Sequence, residues 1–155
     1  MNKGEDVSNT AVNYTLYSQS VSELPDEEME ALASGCEFNR GVTSLGAPSY
    51  SYVWGDGLKI TCNVLHQDKM AEHLNGFVGY VKQICAGAVE SRVHQIVSNI
   101  RATRLVVGIV VEGGPDQRGR VEELIGCMCG GLTSLMFYGN SIYNHEGALL
   151  LGPRA

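Results

Sequence analysis

The chain has 155 residues, of which 44% are hydrophobic, and a formal net charge of −6 at pH 7. This size and hydrophobic content predict one buried core, so we expect a single domain over residues 11–155 preceded by a flexible tail over 1–10. Only 11 lysines and arginines oppose 17 acidic residues. The composition therefore disfavours nucleic acid and anionic membrane surfaces as partners, because both are bound mainly through positive charge.

The cellular location follows from what the chain lacks. Its first residues, MNKGEDVSNT, contain no apolar stretch of the kind found in secretory signals. No apolar run approaches the roughly 20 residues that span a bilayer. The five cysteines have no paired spacing and are typical of free thiols in a reducing compartment: Cys36, Cys62, Cys85, Cys127 and Cys129. We therefore expect a cytoplasmic protein without a membrane-bound segment.

The N-terminal region contains a strand, a helix and a loop in that order. Val12, Tyr14 and Leu16 alternate with polar residues, which predicts a half-buried strand over 12–17. The segment LPDEEMEALASG, 24–35, predicts a short helix, because proline and then acidic residues suit a first helical turn and glycine suits its end. Residues 36–48 show no clear period and are interpreted as a loop.

The segment SYSYVWGDGLKITCNV, 49–64, predicts a hairpin whose register decides the fate of three alternating aromatic residues. A two-residue turn would place Tyr50, Tyr52 and Trp54 opposite polar partners, as on a solvent-exposed aromatic surface that stacks on sugars or bases. A three-residue turn with Gly57 in the left-handed conformation instead places the aromatic residues opposite apolar ones, Leu58, Ile60 and Cys62. The second register is favoured, since burying each such side chain is worth roughly 1.5–3 kcal/mol.

Two amphipathic helices are predicted next. HQDKMAEHLNGFVGYVKQIC and AVESRVHQIVSNIR each carry an apolar stripe at spacings of three and four. Gly76 and Gly79 each weaken the first of these helices by about 1 kcal/mol relative to alanine. We therefore expect another backbone to approach the helix closely at these glycines.

The C-terminal region predicts a strand, a helix, a strand and a hairpin. Residues 104–112, RLVVGIVVE, are almost continuously apolar, which is typical of a strand at the centre of a sheet. A helix and a second apolar strand, LTSLMFYG, follow, so that the two strands are expected to be parallel. Asn144 and Gly147 suit the first and fourth places of a type I turn. The predicted fold is α+β: a single domain with a mixed sheet of about five or six strands, ordered β-α-β-β-α-α-β-α-β plus a C-terminal hairpin.

A ligand site is predicted where the two parallel strands end. Ligands of parallel sheets gather at that edge, and six polar residues follow the two strands there: Glu112, Arg118, Arg120, Asn140, Ser141 and Tyr143. EGGPDQRGR opens a helix, whose free N–H groups suit a phosphate or carboxylate, but it lacks both the Walker and the dinucleotide-binding patterns. The alternative is a simple chain reversal with solvated arginines.

No zinc-binding spacing and no activated nucleophile is recognisable, so no metal, cofactor or catalytic residue is predicted.

The C-terminal half, from RLVVGIVVEGG to GALLLGP, and the upstream segment HLNGFVGYV resemble bacterial domain families of unknown function. That resemblance covers 65–155 and implies a bacterial, cytoplasmic domain without indicating an activity. The sequence favours a non-enzymatic binding or protein-interaction module, with self-association included. The alternative is an enzyme or regulatory domain that binds a small anionic ligand at the edge of the sheet.

Overall fold

The structure, a computed structural model, describes residues 12–84 and 87–152, and the predicted tail over 1–10 lies outside them. The described residues form eight strands: β1 (Val12–Ser18), β2 (Glu37–Val42), β3 (Pro48–Val53), β4 (Lys59–Val64), β5 (Leu105–Glu112), β6 (Ser134–Tyr138), β7 (Ser141–Tyr143) and β8 (Leu149–Leu151). They also form four α-helices: α1 (Asp26–Ala31), α2 (Gln67–Ile84), α3 (Glu90–Arg101) and α4 (Arg118–Leu132). A 3₁₀ turn, Pro115–Gln117, precedes α4.

The described strands form one sheet in the order β2-β3-β4-β5-β1-β6-β7-β8, and every neighbouring pair is antiparallel. The α+β class is confirmed, and β5 lies near the centre as predicted. The predicted number of about five or six strands is roughly consistent with the eight that the described residues form, but the parallel pairing that would make the sheet mixed is wrong. Strands β5 and β6 do run in the same direction, but β1 lies between them and pairs with both. The central position falls to β1 because its side chains are buried on both faces of the sheet.

Two apolar cores lie on opposite faces of this sheet. The first is formed with α1 and α4 and includes Leu16, Tyr52, Ile60, Ile109 and Ile125. The second is formed with α2 and α3 and includes Tyr17, Val81, Ile100, Val106 and Ile142. Successive residues Leu16 and Tyr17 thus enter different cores, as the alternation of a strand requires. The domain therefore has a helix–sheet–helix arrangement.

The register predicted for the aromatic hairpin is confirmed. Tyr52 pairs with Ile60, and Tyr50 pairs with Cys62. The Trp54 N–H donates to the Leu58 carbonyl at 2.9 Å, and Gly57 has φ +97°. Tyr52 is fully buried, Tyr50 is buried and Trp54 is partly buried, so these rings belong to the first core rather than to an exposed stacking platform.

The segment predicted as a loop, 36–48, instead contains edge strand β2 and a tight turn into β3. The Gly46 N–H donates to the Thr43 carbonyl at 2.9 Å, the Thr43 N–H donates to the Ala47 carbonyl at 2.7 Å, and Gly46 has φ +91°. Since β2 is an exposed edge strand, its polar and apolar residues do not alternate clearly. The turn signal was nevertheless present, because glycine occupies the fourth place of TSLGA as it does in WGDGL and NHEGA.

The expectation of a close backbone approach at the glycines of α2 is wrong. A Cβ added to Gly76 or Gly79 would meet no atom within 4 Å among the described residues. Both glycines lie on the exposed side of the helix. Their cost to helix stability is therefore not offset by a backbone contact within the described part of the chain.

Candidate functional site

All six predicted site residues are among the described residues, but of these only Arg118 and Tyr143 line the same cavity. This cavity, of about 340 Å³, lies between α4 and strands β1, β6 and β7. We call it the tyrosine cavity, after the residues that line it, which include Tyr14, Arg118, Glu122, Met136, Tyr138 and Tyr143. The prediction therefore located part of a real cavity, although the alternating aromatic residues of β1 and β6 had not been assigned to it.

Stacked phenol rings dominate the tyrosine cavity. The rings of Tyr14 and Tyr138 have centroids 4.3 Å apart and are inclined by 13°. Burial, assisted by Tyr138 and Glu122, raises the pKa of Tyr14 to about 12, so this phenol remains protonated at neutral pH. Arg118 Nε donates to Glu122 Oε2 at 3.1 Å. The cavity thus offers aromatic surface and hydroxyl groups, while Glu122 offsets the charge of its arginine.

The other predicted arginine points to a different part of the molecule. Arg120 forms an ion pair with Asp56 at 3.1 Å and lies over the Trp54 ring, 5.6 Å from its centroid. The Gly114 N–H, one of the backbone donors available to an anion, donates to Gln117 Oε1 at 2.7 Å. The two arginines therefore do not converge on one anion, and this segment holds the hairpin turn against the start of α4.

The remaining three predicted residues occupy separate positions. Asn140 is in the left-handed conformation, with φ +63°, and accepts a hydrogen bond from the Tyr80 hydroxyl at 2.6 Å. Ser141 is fully buried, and its hydroxyl has no hydrogen-bond partner among the described residues. Glu112 ends β5 opposite Lys59. These residues do not contribute to the tyrosine cavity.

A second cavity, of about 370 Å³, contains none of the predicted residues. We call it the amide cleft: its floor includes Ile96, Leu135 and Leu150, and its rim includes Gln19, Arg92, Gln95, Asn99, Asn144 and His145. The rim residues come from α3, from the end of β1 and from the turn between β7 and β8. Because these segments are far apart in the chain, no spacing in the sequence indicated the cleft.

The third feature is a surface. Helices α2 and α3 cover β6 to β8 and the adjoining ends of β1 and β5, while the same face of the sheet continues over the other ends of β1 and β5 and over β4, β3 and β2. We call this continuation the open half-sheet, and its side chains are those of Asn13, Thr15, Asn39, Ser49, Ser51, Val53, Thr61, Asn63 and Val110. The hairpin register predicted from the sequence also leaves Ser49, Ser51, Lys59, Thr61 and Asn63 together on this face.

The nine side chains of the open half-sheet are uncharged, and no helix of the described structure covers them. A Cβ added to Gly108, in the same row as Asn63 and Thr15, would meet only the Asn63 carbonyl oxygen, at 3.9 Å. The Ser49 hydroxyl donates to Asn63 Oδ1 at 2.7 Å, so part of the hydrogen-bonding capacity of this surface is used between its own side chains. Charge enters this face at one margin, in the row of Val53, where Glu37 and Lys59 lie on either side of Val53 and Glu112 follows Lys59.

Comparison with known proteins does not assign these features. No protein-family model, curated protein or solved structure matches this chain. Within the described residues, no cluster of three or more His, Cys, Asp or Glu side chains is arranged to hold a metal ion. No helix in the described part of the chain is long and apolar enough to cross a membrane. Function has to be inferred from the two cavities and the open half-sheet.

The ionisable groups inside the cores are held in their neutral forms. Burial raises the pKa of the Cys62 thiol to about 12 and raises that of Cys129, so both remain protonated at neutral pH. The Tyr17 hydroxyl lies 2.9 Å from His73 Nε2, and burial lowers the pKa of this histidine. The Tyr17 ring also stacks on the Phe77 ring, with centroids 4.5 Å apart, and both rings belong to the second core. Cys85 lies outside the described residues.

Proposed function

We propose that this chain is a non-enzymatic interaction domain that associates with a second copy of itself through the open half-sheet. The observation that supports this proposal is a broad, uncovered sheet face, uncharged except along one margin, on a chain of net charge −6. Sheets ordinarily bury one face and leave the other polar. Here the first face carries a core along most of its strands and the other face is covered only in part, which leaves a defined surface for a partner.

The distribution of charge favours a second copy as that partner. Acidic residues are concentrated on the opposite face, on α1 with Asp26, Glu27 and Glu28 and on α4 with Glu122 and Glu123. Two copies of an acidic chain repel each other, and the repulsion is smallest where the meeting surfaces carry no charge. The middle of the open half-sheet satisfies that condition, and its charged residues, Glu37, Lys59 and Glu112, are confined to one margin.

The chemistry of the surface is complementary to itself. Hydroxyl and carboxamide groups both donate and accept hydrogen bonds, so the same patch can serve both sides of a two-fold interface. A two-fold axis along β4 would set the sheets about 10 Å apart, which is close to the diameter of a helix. Helix α2 of each copy would then lie beside edge strand β2 of the other.

The size of the surface predicts a weak complex. Five strands at spacings of about 4.8 Å and roughly five residues at 3.4 Å each make a patch of about 24 by 17 Å. Its projected area of roughly 400 Å² is half of the 800 Å² that each partner buries in a standard interface. We therefore expect a dissociation constant in the micromolar range or weaker.

The test is sedimentation velocity of the wild-type chain from low to high micromolar concentration. We expect reversible dimerisation that Thr61→Arg abolishes, since Thr61 lies between Ser51 and Val110 at the middle of the surface. Ser22→Arg adds the same charge at an exposed position outside the surface and serves as the matched control. A wild-type monomer at every concentration, or a Thr61→Arg chain that associates normally, would contradict the proposal.

A second candidate function is the binding of a small anionic ligand in the tyrosine cavity, favoured by the meeting of Arg118 and Tyr143 there. It is tested by thermal unfolding against sugar phosphates, nucleotides and small carboxylic acids. A ligand present at one hundred times its dissociation constant adds about 2.7 kcal/mol of stability. A stabilisation lost in both Arg118→Ala and Tyr143→Phe supports this candidate, and one retained in both variants rejects it.

A further inference from the structure

The amide cleft differs from the tyrosine cavity in its electrostatic character. Arg92 and His145 lie on its rim, and no carboxylate is among the described residues that line it. By contrast, Glu122 pairs with the arginine of the tyrosine cavity. On a chain of net charge −6, a cavity lined by a guanidinium and, among the described residues, by no carboxylate is a place where an anion meets little local repulsion.

The polar groups of the cleft have unused hydrogen-bonding capacity. Asn144 Oδ1 accepts the N–H groups of Glu146 and Ala148, both at 2.9 Å, and this assigns its NH₂ group as the free end. Arg92 uses Nη1 for one long bond, 3.3 Å, to the Leu150 carbonyl. The side-chain amides of Gln95 and Asn99 make no hydrogen bond within the described residues. Several donors therefore remain available for a ligand.

The wall of the cleft at the end of α4 is held by local structure. Thr133 lines the cleft in the left-handed conformation, with φ +49° and ψ +52°, which is uncommon for a residue other than glycine. The Thr133 N–H donates a hydrogen bond to the Gly130 carbonyl at 3.2 Å. Next to it, Ser134 is buried and its hydroxyl lies 3.3 Å from Cys129 Sγ. A backbone constrained in this way suits a preformed site.

From this geometry we infer that the amide cleft binds a small anion that also carries hydroxyl groups. Arg92 provides the charge-assisted hydrogen bonds to its phosphate or carboxylate oxygens. The carboxamides of Gln95, Asn99 and Asn144 donate to and accept from the hydroxyl groups. The apolar floor takes the carbon skeleton, and the volume of about 370 Å³ suits a molecule of the size of a sugar phosphate or hydroxy acid. This inference is independent of dimerisation.

The experiment is a titration of the ¹⁵N-labelled full chain, followed by amide chemical shifts, with glucose 6-phosphate as the probe. Glucose and inorganic phosphate are titrated separately as its neutral and anionic parts. We expect saturable shifts at residues of α3 and of the β7–β8 turn, with tighter binding of the whole probe than of either part. Arg92→Gln should weaken binding of the probe tenfold or more, whereas Arg101→Gln, the same change at an exposed position of α3 outside the cleft, should leave it unchanged.

Four results would overturn the inference. They are shifts that map to the tyrosine cavity, shifts that do not saturate with any probe, phosphate that binds as tightly as glucose 6-phosphate, and an Arg92→Gln chain that binds normally. Because Arg92 is exposed, its replacement should leave the spectrum of the fold intact. Gln95→Leu, at another exposed position on α3, provides a second variant, in which we expect weakened binding of the sugar phosphate with binding of phosphate alone unchanged.

Discussion

Single hydroxyl groups connect the sheet to the short helix that covers its first face. Tyr52 is fully buried, and its hydroxyl donates to the Met29 carbonyl at 2.7 Å. Replacing it with phenylalanine removes a buried donor, at a cost of about 1–3 kcal/mol. We expect Tyr52→Phe to lower the urea midpoint. Tyr50→Phe is the matched control, because the Tyr50 hydroxyl bonds to the exposed Asp26 and should matter less. Equal losses in the two variants would contradict this role.

The pair of Tyr17 and His73 makes stability depend on pH. Burial lowers the pKa of His73 from its ordinary value of 6.5. The unfolded chain therefore takes up a proton at a higher pH than the folded chain does, and the folded state loses stability as pH falls below about 6.5. Urea unfolding between pH 8 and pH 5 measures this loss. His73→Gln, which can still hydrogen-bond to Tyr17 but does not titrate, should lose less stability over that range, and an identical pH dependence would refute this role of the histidine.

Among the elements, the hairpin turns show how one glycine sets a register. Gly57 has φ +97° while its neighbour Gly55 does not have a positive φ, and a Cβ at either position would meet open space. We expect Gly57→Ala to cost about 1–2 kcal/mol through backbone strain, and Gly55→Ala to cost much less. Thermal unfolding of both variants tests this, since both add the same methyl group without a clash. A similar loss in the two would show that the turn conformation does not matter.

Helix α2 carries two glycines whose side-chain positions face open space. Replacing either Gly76 or Gly79 with alanine should stabilise the helix by up to about 1 kcal/mol, because alanine has the higher helix propensity and meets no atom within 4 Å. The melting temperature of each variant is the measurement. Destabilisation by either alanine would mean that the glycine is required for a contact outside the described residues.

For the whole molecule, net charge and the open half-sheet together determine how association should respond to salt. If two chains of charge −6 meet through faces that are charged only at one margin, salt screens their mutual repulsion more than it weakens the interface itself. We expect self-association to strengthen between about 50 mM and 500 mM sodium chloride, over which the Debye length falls from roughly 14 Å to 4 Å. Sedimentation at the two salt concentrations tests this, and dissociation at high salt would indicate an interface made of ion pairs.

Much of the fold was predictable because its signals are local. The period of the apolar residues identified β1, α2, α3 and β5, and burial selected the correct one of two hairpin registers. Edge strand β2 was missed because an exposed edge need not alternate. The candidate site was predicted in part: Arg118 and Tyr143 share a cavity, but Arg120 bonds to Asp56 on a hairpin 64 residues earlier in the chain. No local pattern encodes such a contact.

The sequence by itself determined the α+β class, most of the helices and strands, and the polar face that became the open half-sheet, since side-chain period and turn geometry act over a few residues. The tertiary structure decided that β1 separates β5 from β6, that two helices cover half of one face, and that distant segments enclose the amide cleft. These features depend on which strand best fills the centre of the sheet and where each helix packs. That choice depends on long-range packing energies, which the spacing of residues along the chain does not reveal.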